Sequence, residues 1–424
     1  MWTLGQRLKE LRKEANLTQQ ELSEGIVTRA YISQIEKGLV QPSYETLKLL
    51  AERLNCSVEN LFVEPENKVL QLSETKRKIK MAESFVESGK FEQASKVILS
   101  VSQSLSERWL TGPEKGVYLW IKGKLLEKER SWETAAKYYS QSKELLSDGS
   151  HSRALVRTID SLGYTYLQLD KNYDALSTLN EALGLLAKET IGGILQISVY
   201  LNIGIAHGKI GEFYSAIRLL QEAKDLNEAT GYLYKQGQIL MSLGVCYRNV
   251  NQLHDAEASY RKALSFFEMT ADLENAAGTK TNLGVLYGVL QQYEQSIQFL
   301  SSAIAAYERL QLQTRQQNAK LELAKTLVQC QRYEEAKQLC RELIAQSPVR
   351  EKHAILAHRC IADIACFEQN YEKALESYLL SLRYLKEHGF VAELKETYGK
   401  VADIYFAKED YQTAAHYYRL GKEC

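Results

Sequence analysis

The sequence predicts an all-α chain, with a five-helix domain over residues 1–63, a linker over 64–70 and about nine helical hairpins over 71–424. Strand-like alternation of Val, Ile and Thr is nearly absent. Only four prolines, at 42, 65, 113 and 348, interrupt 424 residues. Beyond residue 71 a small residue returns at steps of 38 to 41 residues, the mark of one structural unit repeated.

Each element of the first domain has its own signal. Leu4, Leu8 and Leu11 stand at helical spacing and give a first helix ending near Asn16. "TQQE" at 18–21 is a capping box, in which the Thr18 hydroxyl accepts from the Glu21 amide and the Glu21 carboxylate reaches back. Thr28 caps a third helix carrying Tyr31, Ile32 and Ile35, and Gly38 stops it. Ser43 caps a fourth with Leu47, Leu50 and Leu54, and Ser57 opens a short fifth with Val58, Leu61 and Phe62. The second and third helices are only a turn apart, which makes this a helix-turn-helix bundle.

The stretches "LTQQEL", "YISQIEKG", "PSYETLKLLAERL" and "LF" resemble the repressor-type (XRE) DNA-binding domain over residues 4–63. One departure is that Gly25, Ile26 and Val27 form a connection one residue shorter than the usual pattern. The resemblance implies that Gln19 holds a phosphate and that Arg29, Ala30, Tyr31, Ser33 and Gln34 line the exposed face of the recognition helix. Arginine can bond guanine bidentately and glutamine adenine. Arg12 and Glu36 match a pair that joins the first and third helices, which makes Glu36 structural. The domain has no basic excess, with eight Lys/Arg against eight Asp/Glu, so a pure interaction module is the competing reading. Modest affinity per head points to a dimer on a two-fold DNA site.

The whole chain is also neutral, with 53 Lys plus Arg against 53 Asp plus Glu, so no global field steers it to nucleic acid or to an anionic membrane. Seven cysteines without a CxxC pair fit reduced thiols, most of them small core residues. The start "MWTLGQRLKELRKE" lacks the apolar core of a signal peptide and no 18-residue apolar run follows, so a cytoplasmic location is expected.

The repeated unit is anchored by Ala82, Gly123, Gly163, Gly204, Gly244, Gly284, Ala324, Ala362 and Ala402. Twelve residues after each comes another small one, from Ala94 and Ala135 through Ser296 to Ala414. An aromatic stands nine residues after the anchor in seven repeats: Phe91, Trp132, Phe213, Tyr293, Tyr333, Tyr371 and Tyr411. Small residues allow two antiparallel helices to approach closely, and the aromatic fills the space between hairpins. "LGVCYRNVNQLHDAEASYRKAL" (243–264) and "LGVLYGVLQQYEQSIQFLSSAI" (283–304) resemble the tetratricopeptide (TPR) pattern. TPR hairpins stack into a right-handed superhelix with a concave surface lined by the first helix of each hairpin.

Positions six and two before the anchor, and one and five after it, share a helical stripe. That stripe holds Arg157, Ser161, Tyr164 and Gln168 in repeat 3, and Ser198, Asn202, Ile205 and Lys209 in repeat 4. Repeat 5 contributes Gln238, Ser242, Val245 and Asn249, repeat 6 Asn282 and Val285, and repeat 7 Asn318, Glu322, Lys325 and Gln329. An amide side chain both donates and accepts, so a ladder of amides can pair with an extended peptide backbone. Arg157, Lys209 and Arg359 would fix the peptide's direction by holding a terminus or an acidic side chain. A groove that is merely solvated and polar is the bland alternative for any one of these residues.

A repressor-type domain joined to nine TPR hairpins resembles the RRNPP quorum-sensing regulators of Gram-positive bacteria (Rap, Rgg, NprR, PlcR, PrgX), with length and repeat number most like the NprR branch. The resemblance implies a transcription regulator that binds promoter DNA and a short signalling peptide, the peptide changing its oligomeric state: a homodimer, or a tetramer with peptide. In "NIG" at 202–204 and "NLG" at 282–284, Asn202 and Asn282 match motif asparagines that hold the peptide backbone. A second reading is a protein-interaction switch that sequesters a sporulation phosphorelay response regulator. Neither reading involves a cofactor. The sequence has no P-loop, GxSxG or HExxH motif, and His353, His358 and Cys360 in "HAILAHRC" are spaced wrongly for one helix face to bind a metal, so no enzymatic function is expected.

Overall fold

The computed structural model describes residues 3–62, 65–104, 107, 109–149, 151–346 and 352–424. The domain end expected at Val63 and the proline at 348 lie outside them. The described residues form twenty-two α-helices and one 3-10 turn, with no strand. None of these helices is long and apolar enough to cross a membrane.

The head consists of α1 (Leu4–Glu14), α2 (Gln19–Ser23), α3 (Arg29–Glu36), α4 (Tyr44–Arg53) and a 3-10 turn at Val58–Leu61. Side-chain caps start the helices where the sequence placed them. Thr18 and Glu21 form the reciprocal capping box, Thr28 accepts from the Tyr31 amide at 3.2 Å, and Ser43 accepts from the Thr46 amide. Leu8, Leu22, Ile32, Ile35, Leu47, Leu50, Ala51, Leu54 and Leu61 close the core. The bundle depends on one close approach, because a Cβ on Gly5 would lie 1.9 Å from the Ile35 carbonyl oxygen. Glycine there brings α1 against α3.

The remaining helices pair as nine hairpins. In order these are α5 (Pro65–Glu87) with α6 (Phe91–Ser102), α7 (Gly112–Lys128) with α8 (Trp132–Leu146), and α9 (Ser152–Gln168) with α10 (Asn172–Lys188). They continue with α11 (Ile194–Ile210) and α12 (Phe213–Thr230), α13 (Gln236–Asn249) and α14 (Leu253–Met269), and α15 (Leu273–Val289) and α16 (Tyr293–Arg309). The last three are α17 (Gln313–Gln329) with α18 (Tyr333–Gln346), α19 (Lys352–Phe367) with α20 (Tyr371–Glu387), and α21 (Val391–Ala407) with α22 (Tyr411–Glu423). Helix α5 begins at Pro65, so most of the segment expected as a linker over 64–70 is helical. Proline is suited to a first helical turn, where its missing N–H costs nothing, so Pro65 starts a helix instead of breaking one. By compactness the chain divides into residues 1–195 and 196–424.

The anchor glycines serve a specific contact. A Cβ at Gly163 would lie 2.4 Å from Leu179 Cγ, at Gly204 2.7 Å from Leu220, at Gly284 2.5 Å from Leu300, and at Gly123 2.4 Å from Tyr139. In each case the side chain sixteen residues on, from the second helix of the same hairpin, fills the space left by the missing Cβ. Wherever that side chain is Leu, the anchor is Gly. The alanine twelve residues after the anchor is buried, as at Ala135, Ala175 and Ala216. The aromatic nine residues after it opens the second helix in the seven repeats that have one.

A further regularity lies seven residues after the anchor, where the backbone is left-handed in all nine repeats: Gly89, Arg130, Asp170, Gly211, Asn251, Gln291, Gln331, Gln369 and Glu409. This residue ends the first helix and turns the chain into the second. Only two of the nine are glycines, so the turn does not stand out in the sequence.

Candidate functional site

In the head, α3 buries Ile32, Ile35 and Glu36 and presents the opposite side outward. Arg29, Ala30 and Gln34 are exposed, with Tyr31 and Ser33 half-buried beside them. The orientation is fixed from beneath. Arg12 donates to both Glu36 oxygens, from Nε at 2.6 Å and from a terminal nitrogen at 3.1 Å, and also to the Leu17 carbonyl at 2.8 Å. Burial alone would raise the Glu36 carboxyl pKa, but the hydrogen bonds from Arg12 and Gln19 hold it below the ordinary carboxylate value. Glu36 is thus a structural residue. Gln19, expected to hold a phosphate, donates from Nε2 to Glu36 Oε2 at 2.8 Å. Its side chain belongs to the α1–α2–α3 clamp in this structure, because the capping turn at Thr18 brings Gln19 over the buried carboxylate.

Of the residues expected to line a peptide groove, Arg157, Tyr164 and Gln168 belong to residues 1–195 and the others to residues 196–424. Arg157 is committed within the protein. It bonds Glu83 and Glu87, both at 2.5 Å, and its guanidinium lies 3.8 Å from the Trp120 ring centre. Glu83 and Glu87 sit one helical turn apart on α5 and form a fork around it, so Arg157 is an internal brace. Tyr164 packs edge-on against Trp132, and Gln168 is exposed.

In the second unit the first helices α13, α15, α17 and α19 stand side by side. Lys209 and Asn249 are exposed, Gln238 and Asn282 are half-buried, and Asn249 donates to the Val245 carbonyl at 2.8 Å. Asn202 is only 1% exposed, so in this conformation it is a core residue more than a groove residue. Asn318 is exposed and accepts His353 Nε2 at 2.9 Å. That bond also gives a structural account of one histidine in "HAILAHRC".

The stripe continues past repeat 7, where the run of amides stops. A cleft of about 730 Å³ opens among α17, α19 and α21, lined by Lys325, Arg359, Asp363, Tyr378, Glu396 and Lys400 among others. Arg359, 7% exposed, bonds Glu396 at 2.8 Å, and Lys400 bonds Asp363 at 2.7 Å and Glu396 at 3.1 Å. Burial opposes charge on Glu396 and Lys400, yet the partners prevail, keeping the carboxyl pKa low and the ammonium pKa high. Of these residues the sequence reading singled out only Lys325 and Arg359. Glu396, Lys400 and Asp363 stand at the same stripe positions but carry charges instead of amides, and Tyr378 comes from the second helix of its hairpin.

Comparison with known proteins agrees with this anatomy. Residues 8–61 match the helix-turn-helix family model, and residues 211–352 match that of the soluble NSF attachment protein, SNAP. The immunity repressor protein of Bacillus phage phi105 is 42% identical over 57 residues, 13% of this chain and 40% of the repressor. The match therefore spans less than half of that relative. Across most of the chain, the apo quorum sensor NprR from B. thuringiensis superposes with a TM-score of 0.67 at 15% identity, covering 83% of this chain and 98% of NprR. This is the NprR fold. The apo form of RapI shares it, with a TM-score of 0.62 at 14% identity over 82% of this chain and 96% of RapI. So does NprR in complex with its cognate peptide NprX, at 0.57 and 16% identity over 82% of this chain and 99% of NprR. The chain thus joins a helix-turn-helix head to the TPR-like helical architecture of these proteins.

Proposed function

We propose that the chain is a peptide-responsive transcription regulator. Its head reads double-stranded promoter DNA through Arg29, Ala30, Tyr31, Ser33 and Gln34. The first-helix faces of its second unit bind a short oligopeptide, with Asn282, Gln238, Asn249 and Lys209 among the contacts, and peptide binding changes the oligomeric state and thereby DNA binding. The observation that carries this reading is the braced, outward-facing α3 in a head that matches the helix-turn-helix model, joined to a fold shared with an NprR that is held with its peptide. A head with eight cations against eight anions has little electrostatic grip, so pairing of heads on a two-fold site is what gives it useful affinity.

The test is selection of full-length protein on a pool of randomised duplex DNA, with and without a pool of random heptapeptides. Two-fold-symmetric sequences should be enriched, the enrichment should change with peptide, and Arg29→Ala should abolish it while the far-ultraviolet circular dichroism is unchanged. If the wild-type protein enriches no sequence under either condition, the regulator reading fails and the interaction switch takes its place.

A further inference from the structure

Four hairpins place a tyrosine sixteen residues after the anchor: Tyr139, Tyr260, Tyr378 and Tyr418. In three of them the chain supplies the phenol with its own carboxylate. Tyr139 donates to Glu127 at 2.8 Å, Tyr378 to Asp363, and Tyr418 to Asp403. Asp363 and Asp403 come one residue after their anchors and Glu127 four after its anchor, so the two positions lie about a turn apart on the first helix and both border the hydroxyl. Repeat 8 shows both flanks at once. Besides Asp363, the Tyr378 hydroxyl lies 4.0 Å from the sulfur of Cys366, four residues after Ala362. Tyr378, Asp363 and Cys366 all line the cleft, so this niche opens onto the first-helix face.

Repeat 5 departs from this rule. Val245 occupies the position equivalent to Asp363, and Arg248 the position equivalent to Glu127. Tyr260 is fully buried and its hydroxyl has no hydrogen-bond partner among the described residues. Burial pushes the phenol pKa up to about 12, and the nearby Arg248 charge pulls the other way. A buried hydroxyl without a partner is destabilising. In repeat 5 the phenol and Arg248, both donors, thus hold the positions at which repeat 2 pairs Tyr139 with Glu127, and neither flank carries an acceptor side chain. Tyr139 is equally buried, and there the carboxylate that meets the hydroxyl comes from within the chain, from half-buried Glu127. Gln238 and Asn249, both read above as peptide contacts, lie on the same helix.

We propose that repeat 5 captures a carboxylate of the bound peptide, either its C-terminus or an acidic side chain, between the Tyr260 hydroxyl and the Arg248 guanidinium. The inference rests on the peptide-binding reading above. The ligand's carboxylate takes the role that Glu127, Asp363 and Asp403 play in their own repeats, and the charge of Arg248 selects an anion over a neutral amide.

Full-length protein is incubated with three pools of random heptapeptides, and retained peptides are quantified by mass spectrometry. The first pool has a free C-terminal carboxylate and no Asp or Glu. The second is amidated and contains Asp and Glu. The third is amidated and lacks both. The first or the second should be retained, which identifies the source of the carboxylate, and the third should not. Arg248→Gln should lower that retention by about tenfold and Tyr260→Phe by severalfold. Retention of the third pool equal to the others, or unchanged retention in both variants, overturns the proposal and leaves peptide binding standing. Retention of no pool overturns the peptide reading itself, and this proposal with it. A ligand-free control addresses the phenol: Tyr260→Phe should unfold at or above the wild-type midpoint, and Tyr378→Phe below it. If Tyr260→Phe falls as far as Tyr378→Phe, the hydroxyl already has a partner and the proposal is refuted.

Discussion

Replacing Gly163 by alanine tests whether the anchors exist to seat a side chain from the second helix. The new methyl would meet Leu179 at 2.4, 2.6 and 3.1 Å, and Leu179 is fully buried. Alanine gains about 1 kcal/mol over glycine inside a helix. Overpacking a closed core costs about 1–3 kcal/mol, and three simultaneous close contacts put this site toward the upper end. The net expectation is a loss of about 1–2 kcal/mol. It would be read as a lower midpoint in urea unfolding followed by far-ultraviolet circular dichroism. Leu179→Ala in the same background should cost less than it does alone, because the methyl then fills part of the cavity. Alanine anchors occur in this chain at residues 82, 324, 362 and 402, opposite Ile98, Cys340, Tyr378 and Tyr418 but never opposite Leu. If Gly163→Ala is as stable as the wild type or more so, helix propensity alone explains the anchor and the seating argument fails.

Gln291 holds φ +59 at a hairpin turn, so Gln291→Gly should raise stability by about 0.5–1 kcal/mol, and a decrease would mean that its side chain contributes more than its backbone costs. Glu36 has a lowered pKa in the folded head, so its stabilisation is complete above the unfolded-state value and is lost as pH falls through the folded one. Hydrogen exchange of α1 and α3 amides, corrected for intrinsic rate, should therefore show the head loosening in acid, and Glu36→Gln should flatten that dependence. In the second unit, Asn282→Ala should weaken binding of a pool-selected peptide by about 1–3 kcal/mol in titration calorimetry. Equal affinity would remove Asn282 from the groove. Asn202 is a poorer probe because a substitution at 1% exposure also leaves a cavity.

Much of the anatomy was legible because it rests on local chemistry. The caps at Thr18, Thr28 and Ser43 are read from three or four adjacent residues, and the structure forms each of them. The hairpin period was legible because small residues at fixed intervals answer a steric need that recurs with the fold. The left-handed turn residue was hidden, since Arg130, Asp170 and Gln291 share no side-chain chemistry and only a backbone angle. The linker was misread because a proline that ends one helix and a proline that begins another look alike without the hydrogen bonds around them.

The candidate sites divide in the same way. Which residues face outward on α3 follows from helical periodicity, which the sequence contains, and from the Arg12–Glu36 pair, which the family resemblance implied and the structure forms. Sequence alone also determined that the chain is helical, where the anchor of each hairpin falls, and which residues share a stripe. Only the tertiary structure decided which stripe residues are available. Arg157 is held by Glu83 and Glu87, seventy or more positions away, Gln19 is drawn to Glu36, and Tyr260 lacks the carboxylate that its counterparts have. Periodicity fixes the direction of a side chain from its own helix, whereas its hydrogen-bond partners come from neighbouring helices whose register no local pattern encodes.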